Sequence, residues 1–271
     1  MKKILTLSLF AGLMFTASAQ DAADKKVMAG LSLGGAINLN DPQTNTMDAN
    51  VGGDFVVGMA LDWNFSKNIA LSTGLEFDFN RFKTTFKDNV YFDYNDKDIR
   101  QFKDYNSEST EDNFFFVNER KHKSIYLSIP VMLKFQTNYM GYMRYYGKFG
   151  LRNSFLLTTR TNNTGNAYDS NGTSLDQTEL DDMKSPGVMS FYKGAIGISG
   201  GAEYNISGNT VLVVELGYYY GFSEVFQQEG SLFGDDEKGL SLYNINASNG
   251  RDYYAPSLNQ SQLLLKVSVL F

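Results

Sequence analysis

The sequence predicts an all-β protein: an eight-stranded antiparallel up-and-down transmembrane β-barrel with long extracellular loops and short periplasmic turns. Three observations predict it. Apolar residues recur at every second position in eight segments of about 10 residues, the length a tilted strand needs to cross a bilayer. Short and long connections alternate strictly along the chain. Aromatic residues gather towards segment ends, where membrane interfaces fall.

The chain begins with an address. Lys2 and Lys3 form a positive start, Ile4 to Phe15 is apolar, and Ala17, Ser18 and Ala19 supply the small residues of a cleavage site. Residues 1–19 are therefore expected to be a signal peptide and residues 20–271 the barrel. The apolar run is too short for a comfortable membrane helix, which needs roughly 20 residues. Without Lys2 and Lys3, 22 basic residues face 30 acidic ones, a charge of -8.

The first segment carries Val27, Ala29, Leu31, Leu33, Ile37 and Leu39. The second places Phe55, Val57, Met59, Leu61, Trp63 and Phe65 on one face, with Asp54, Val56, Gly58, Ala60, Asp62 and Asn64 on the other. After the turn at 66–68, the third alternates Ile69, Leu71, Thr73, Leu75, Phe77 and Phe79 with Ala70, Ser72, Gly74, Glu76, Asp78 and Asn80. Leu127 to Phe135 forms the fourth and Tyr145 to Leu157 the fifth, where Gly147 and Asn153 interrupt the apolar face. Tyr192 to Ile206 forms the sixth, Leu212 to Phe222 the seventh and Leu263 to Phe271 the eighth. Turns near 66–68, 137–141 and 207–210 are short, whereas connections 40–52, 82–124, 158–190 and 223–260 are long. Short turns at one end and long loops at the other are what an up-and-down membrane barrel requires. A soluble barrel with an apolar interior would instead put its charges outside.

Composition excludes several functions. There are no Cys and one His among 271 residues, so disulfides, thiolate metal sites and multi-His sites are absent. A net charge of -6 argues against nucleic acid. The mean hydropathy is only -0.29 despite 17 Tyr and 21 Phe, as strands with one polar face would give.

The polar face supplies the candidate site. Asp54, Asp62, Glu76, Asp78, Glu203 and Glu215 are expected inside with Lys134, Lys148, Arg152, Lys193 and Lys266. Eight strands leave room only for side chains, so these residues read as a structural network of paired charges. Lys193 and Lys266 are the expected partners of Glu203 and Glu215. Ion or proton passage is the sharper alternative.

His122 and Ser124 share a strand face, as a base and a nucleophile could. An eight-stranded outer-membrane lipid A deacylase resembles this H-x-S arrangement, but twelve residues beyond Ser124 stands Gln136, and the nearby acid, Glu119, lies in the preceding loop. The bland alternative is a solvated pair at the loop base. Asp93 to Asp98 lacks the central Gly and closing Glu of an EF-hand. Gly234 to Glu237 could hold a divalent cation weakly. Phe114, Phe115 and Phe116 suggest a hairpin extended beyond the membrane or a partner contact, and Ser174 to Lys184 a short capped helix.

The run Tyr126-Leu127-Ser128-Ile129-Pro130-Val131-Met132-Leu133-Lys134-Phe135 resembles a strand of the PorT-like outer-membrane β-barrel family. Gly197 to Tyr204 and Val214 to Phe222 are similar to further segments of it. The family more often has Glu where Ser128 stands. The resemblance implies an eight-stranded barrel, with a few members linked to secretion and gliding. The terminal Phe271, in phase with the lipid-facing residues, resembles the β-signal read by the outer-membrane assembly machinery of Gram-negative bacteria.

These readings together give a non-enzymatic, monomeric outer-membrane protein without cofactors, bathed in lipid bilayer and lipopolysaccharide, whose loops bind something or support envelope integrity or secretion. A lipid-modifying enzyme and a narrow channel are the alternatives.

Overall fold

In the computed structural model, residues 25–101, 112–185, 187–228, 240–247 and 250–271 are described. The segment 1–19 and Gly234 to Glu237 lie outside them. Among the described residues thirteen strands form one sheet: β1 (Val27–Pro42), β2 (Met47–Ala49), β3 (Gly52–Asn64), β4 (Ile69–Asn95), β5 (Asp98–Ile99), β6 (Asn113–Gln136), β7 (Met143–Tyr168), β8 (Glu179–Lys184), β9 (Tyr192–Ser207), β10 (Thr210–Gly221), β11 (Tyr243–Ile245), β12 (Arg251–Tyr253) and β13 (Leu258–Leu270). The expected number was eight. The other five are short pieces lying in the long connections, which alternation of apolar residues did not mark.

Pairing is antiparallel and cyclic through β1, β3, β4, β6, β7, β9, β10 and β13. The last of these returns to β1, with Gly30 opposite Leu270 and Pro42 opposite Leu258. A ring leaves no open edge among these strands, the condition for backbone to lie in hydrocarbon. Among the described residues no helix is long and apolar enough to cross a membrane.

The strands depart from expectation most in length. β4, β6 and β7 have 27, 24 and 26 residues. Much of the expected loops 82–124 and 158–190 is therefore strand, and Phe114 to Phe116 belong to β6. The expected helix over Ser174 to Lys184 is absent. Glu179–Lys184 is β8, paired with β7, and Ser174 bridges Tyr168. The capping pattern is a local preference, whereas the upper edge of β7 offers a row of backbone partners, and tertiary pairing prevails.

Polarity reverses along these long strands. In the lower half of β4, Leu75 and Phe77 are exposed on the outside while Glu76, Asp78 and Asn80 are buried inside. Above Asn80 the inward residues are Phe82, Phe86, Val90, Phe92 and Tyr94, and the outward ones include Arg81, Lys83 and Lys87. Phe82, Phe86, Phe92, Phe115, Val117 and Phe226 belong to one apolar core in this upper half. A lower half with an apolar exterior suits lipid, and an upper half with an apolar interior suits water. The outer apolar band ends in exposed Phe55, Tyr220 and Phe222 at one level and Trp63, Phe65 and Tyr204 at the other.

Candidate functional site

The lower interior holds the charged residues, each brought inward by the period-2 pleat. Near the short turns, Lys134 donates to Asp62 and Glu203, and Arg144 donates to the other Glu203 oxygen. One layer up, Lys148 lies 2.6 Å from Glu215, which also accepts from the Tyr146 hydroxyl at 3.0 Å. Lys266 reaches Glu76 at 3.0 Å and Glu215 at 3.6 Å. Arg152 donates to Glu76 and lies 3.4 Å from Asp78.

The next layer is amide-rich. Asp54 accepts from Asn38, from Asn80 at 3.2 Å and from Gln262 at 2.6 Å. Gln260 accepts from Asn80 at 2.8 Å and from Lys193 at 2.9 Å. Lys193 therefore stands apart from Glu203 and Glu215, contrary to the expected pairing. It sits at the opposite end of β9 from Glu203, and strand rise alone, about 3.3 Å per residue, keeps them apart.

Arg144 is the charge that sequence reading missed. Its even number puts it in phase with Lys148 and Arg152, but it precedes Tyr145, the first residue of the fifth apolar segment. With it, six cations stand with six carboxylates. A cavity of about 20 Å³ lined by Arg152, Lys193, Tyr219 and Gln262 has room for about one water. Towards the turns, Met28, Tyr146, Val211, Val213 and Leu270 form an apolar cluster. Gly197 is required where it is, because a Cβ there would lie 2.2 Å from the Tyr219 ring.

His122 and Ser124 occupy a different environment, at the base of the upper core. Both are buried, so the solvated alternative fails. His122 Nε2 lies 3.1 Å from Thr84 Oγ1, and its ring stacks on Phe82 and meets the edge of Phe226. Ser124 instead bonds Thr159 at 3.0 Å. The outward neighbours Lys121 and Lys123 place this pair above the apolar band. Burial and the Arg120 charge hold the imidazole well below its ordinary value near 6.5. Burial likewise lowers Arg120 to about 9, and its Nε donates to Asn163 at 2.6 Å. Glu119 pairs with Lys83 and Lys121 on the outside and does not orient the His. Among the described residues no cluster of three or more His, Asp or Glu could hold a metal ion.

A closed ring of strands with an apolar belt outside and ion pairs inside defines a membrane β-barrel protein. The chain belongs to the family described as "Outer membrane protein beta-barrel domain", which it matches over residues 18–227. The match ends before β13, the strand that closes the ring. No curated protein matches the chain by sequence. Among solved structures it is similar to OprG from Pseudomonas aeruginosa, at 9% identity and TM-score 0.40, over 92% of this chain and 97% of that one. It is similar to Ail of Yersinia pestis, solved in complex with the heparin analogue sucrose octasulfate, at 12% identity and TM-score 0.32, over 91% and 100%. It is also similar to the outer membrane protease OmpT from Escherichia coli, at 11% identity and TM-score 0.35, over 95% and 99%. At these values no residue role passes from them to this chain.

Proposed function

We propose that the chain is a non-enzymatic, eight-stranded up-and-down transmembrane barrel, exported by residues 1–19. Its short turns face the periplasm, and its long strands raise a folded β platform outside the cell. Its role is to present that platform to a partner, or to support envelope integrity or secretion as the PorT-like resemblance implies. The observation that carries this reading is the reversal of polarity above Asn80, because an apolar core inside the upper half makes it a built structure in water. The ion-paired lumen supports a scaffold that does not conduct. The separate bonds of His122 and Ser124 support the absence of acyl-transfer chemistry.

Absence of cysteine makes the test clean. Single Cys variants at Asn166, exposed on the upper half of β7, and at Lys67, in a short turn, would be treated with membrane-impermeant maleimide on intact cells. Asn166→Cys should label and Lys67→Cys should label only after permeabilisation; the reverse result would overturn the orientation. Ohmic conductance in planar bilayers, or loss of lipid A acyl chains on expression, would overturn the scaffold reading in favour of a channel or an enzyme.

A further inference from the structure

Arg81, Lys123, Arg160 and Lys184 stand directly opposite one another across β4, β6, β7 and β8, four cations in one cross-strand row. Lys83 opposite Lys121 begins a second row just above. Like charges facing each other across a sheet are destabilising, so such a row needs a compensating anion. The chain supplies only part of it. Asp182 lies 3.0 Å from Arg160, Asp98 lies 3.2 Å from Lys184, and Glu119 serves Lys83 and Lys121. Among the described residues Arg81 and Lys123 have no acidic partner, in a protein whose net charge is -6.

The position of the row is as telling as its charge. The row beneath it is Phe79, Ile125 and Thr158. Followed the other way round the ring, the cation row continues through Gly53, Ile37 and Leu263, none of them charged. Because barrel strands tilt, one row climbs out of the apolar band as it passes round the wall. The cations thus begin where the lipid-facing surface ends, on one sector only. At the end of the row is an open pocket of about 500 Å³, where β7 has left β9 and not yet met β8. Leu156, Leu157 and Thr158 line it together with Asp98, Arg100, Arg160 and Lys184.

We propose that this sector binds the phosphorylated headgroup of an outer-leaflet glycolipid, with phosphates on the Arg81–Lys123–Arg160 row and acyl chains against Phe79 and Ile125 below. Guanidinium and ammonium groups at the level of lipid phosphates are the complement of a phosphate-bearing headgroup. The apolar surface directly beneath favours a lipid over a free polyanion. The inference rests on the orientation proposed above, which the cysteine labelling tests separately.

The experiment uses the full chain in phosphocholine nanodiscs, with binding of diphosphoryl lipid A measured against the variant R81Q/K123Q/R160Q. Each surface cation removed should weaken binding about fivefold, so the triple variant should lose about a hundredfold. Dephosphorylated lipid A should bind the wild type no better than it binds the variant. Retention of heat-modifiable gel migration shows that the variant is folded. If the triple variant does not fold, K123Q alone should show the fivefold loss. Equal affinity of wild type and variant overturns the proposal. So does phosphatidylglycerol binding as tightly as lipid A, or a heparin oligosaccharide binding with the same cation dependence; the latter would make the row a receptor for sulfated glycans.

Discussion

Glu76 and Lys266 meet at 3.0 Å across the lumen, although β4 and β13 are not neighbours in the sheet; β3 and β1 stand between them. The contact ties opposite parts of the wall through the interior, and Arg152 and Glu215 extend the tie to β7 and β10. The barrel's cross-section is thus held by side chains as well as by backbone ladders.

Replacing Glu76 with Leu should therefore be costly. It takes from Arg152 and Lys266 their closest carboxylate and leaves each with a longer contact, to Asp78 at 3.4 Å and Glu215 at 3.6 Å; removal of one partner of a buried pair costs about 3–5 kcal/mol. Adding Lys266→Met should recover part of that loss, since it removes a cation in excess of the remaining carboxylates while Glu215 keeps Lys148. Urea unfolding of both variants in detergent gives the comparison. A double variant as weak as the sum of the single ones would show that the contact does not couple the two sites.

Leu75 and Ser72 test the assignment of faces on β4. Leu75 is 42% exposed and Ser72 6%. Leu75→Arg, near the middle of the apolar band, should cost about 2–4 kcal/mol in lipid vesicles. Ser72→Ala should be mild. Equal costs would mean that Leu75 does not face hydrocarbon.

His122 should make the upper half acid-sensitive. Its folded value lies well below the ordinary imidazole value near 6.5, through burial first and Arg120 second. Unfolding releases the ring to take up a proton. Below about pH 6.5 the unfolded state then binds more protons than the folded one, so this contribution is complete above that pH and lost as the pH falls. The unfolding midpoint of the wild type should drop between about pH 7 and pH 5 by more than that of His122→Gln. Parallel profiles would place the imidazole in contact with water.

Phe271 should matter more for assembly than for the finished barrel. Its backbone exchanges hydrogen bonds with Ala29 at 2.9 and 3.2 Å, the last rung of the closure between β13 and β1. Losing that rung at the rim costs about 1–2 kcal/mol. Deletion of Phe271 should lower the amount reaching the outer membrane while leaving refolding in detergent near normal. Unchanged cellular levels would rule out the recognition role.

The strands that pair round the ring were legible because each has one apolar face and one polar face turned to a charged interior. Phe271 and Ile69 show the phase without any structure. Alternation also runs on through Phe82, Phe86, Val90 and Phe92, but with its polarity inverted, so a lipid-facing pattern does not mark that stretch as strand. The short strands β2, β5, β11 and β12 have two or three residues each, too few to show any period.

Sequence by itself determined which residues face inward, since the period of a strand is a local property of the backbone. It could therefore collect Asp54, Glu76, Glu215 and Lys266 on one side of the wall. Only the tertiary structure decided who meets whom. Partners such as Glu76 and Lys266 are 190 residues apart, and the shear of the ring sets which layers coincide. The same shear sent Lys193 to Gln260 and away from Glu203, and brought Arg81, Lys123 and Arg160 into one row.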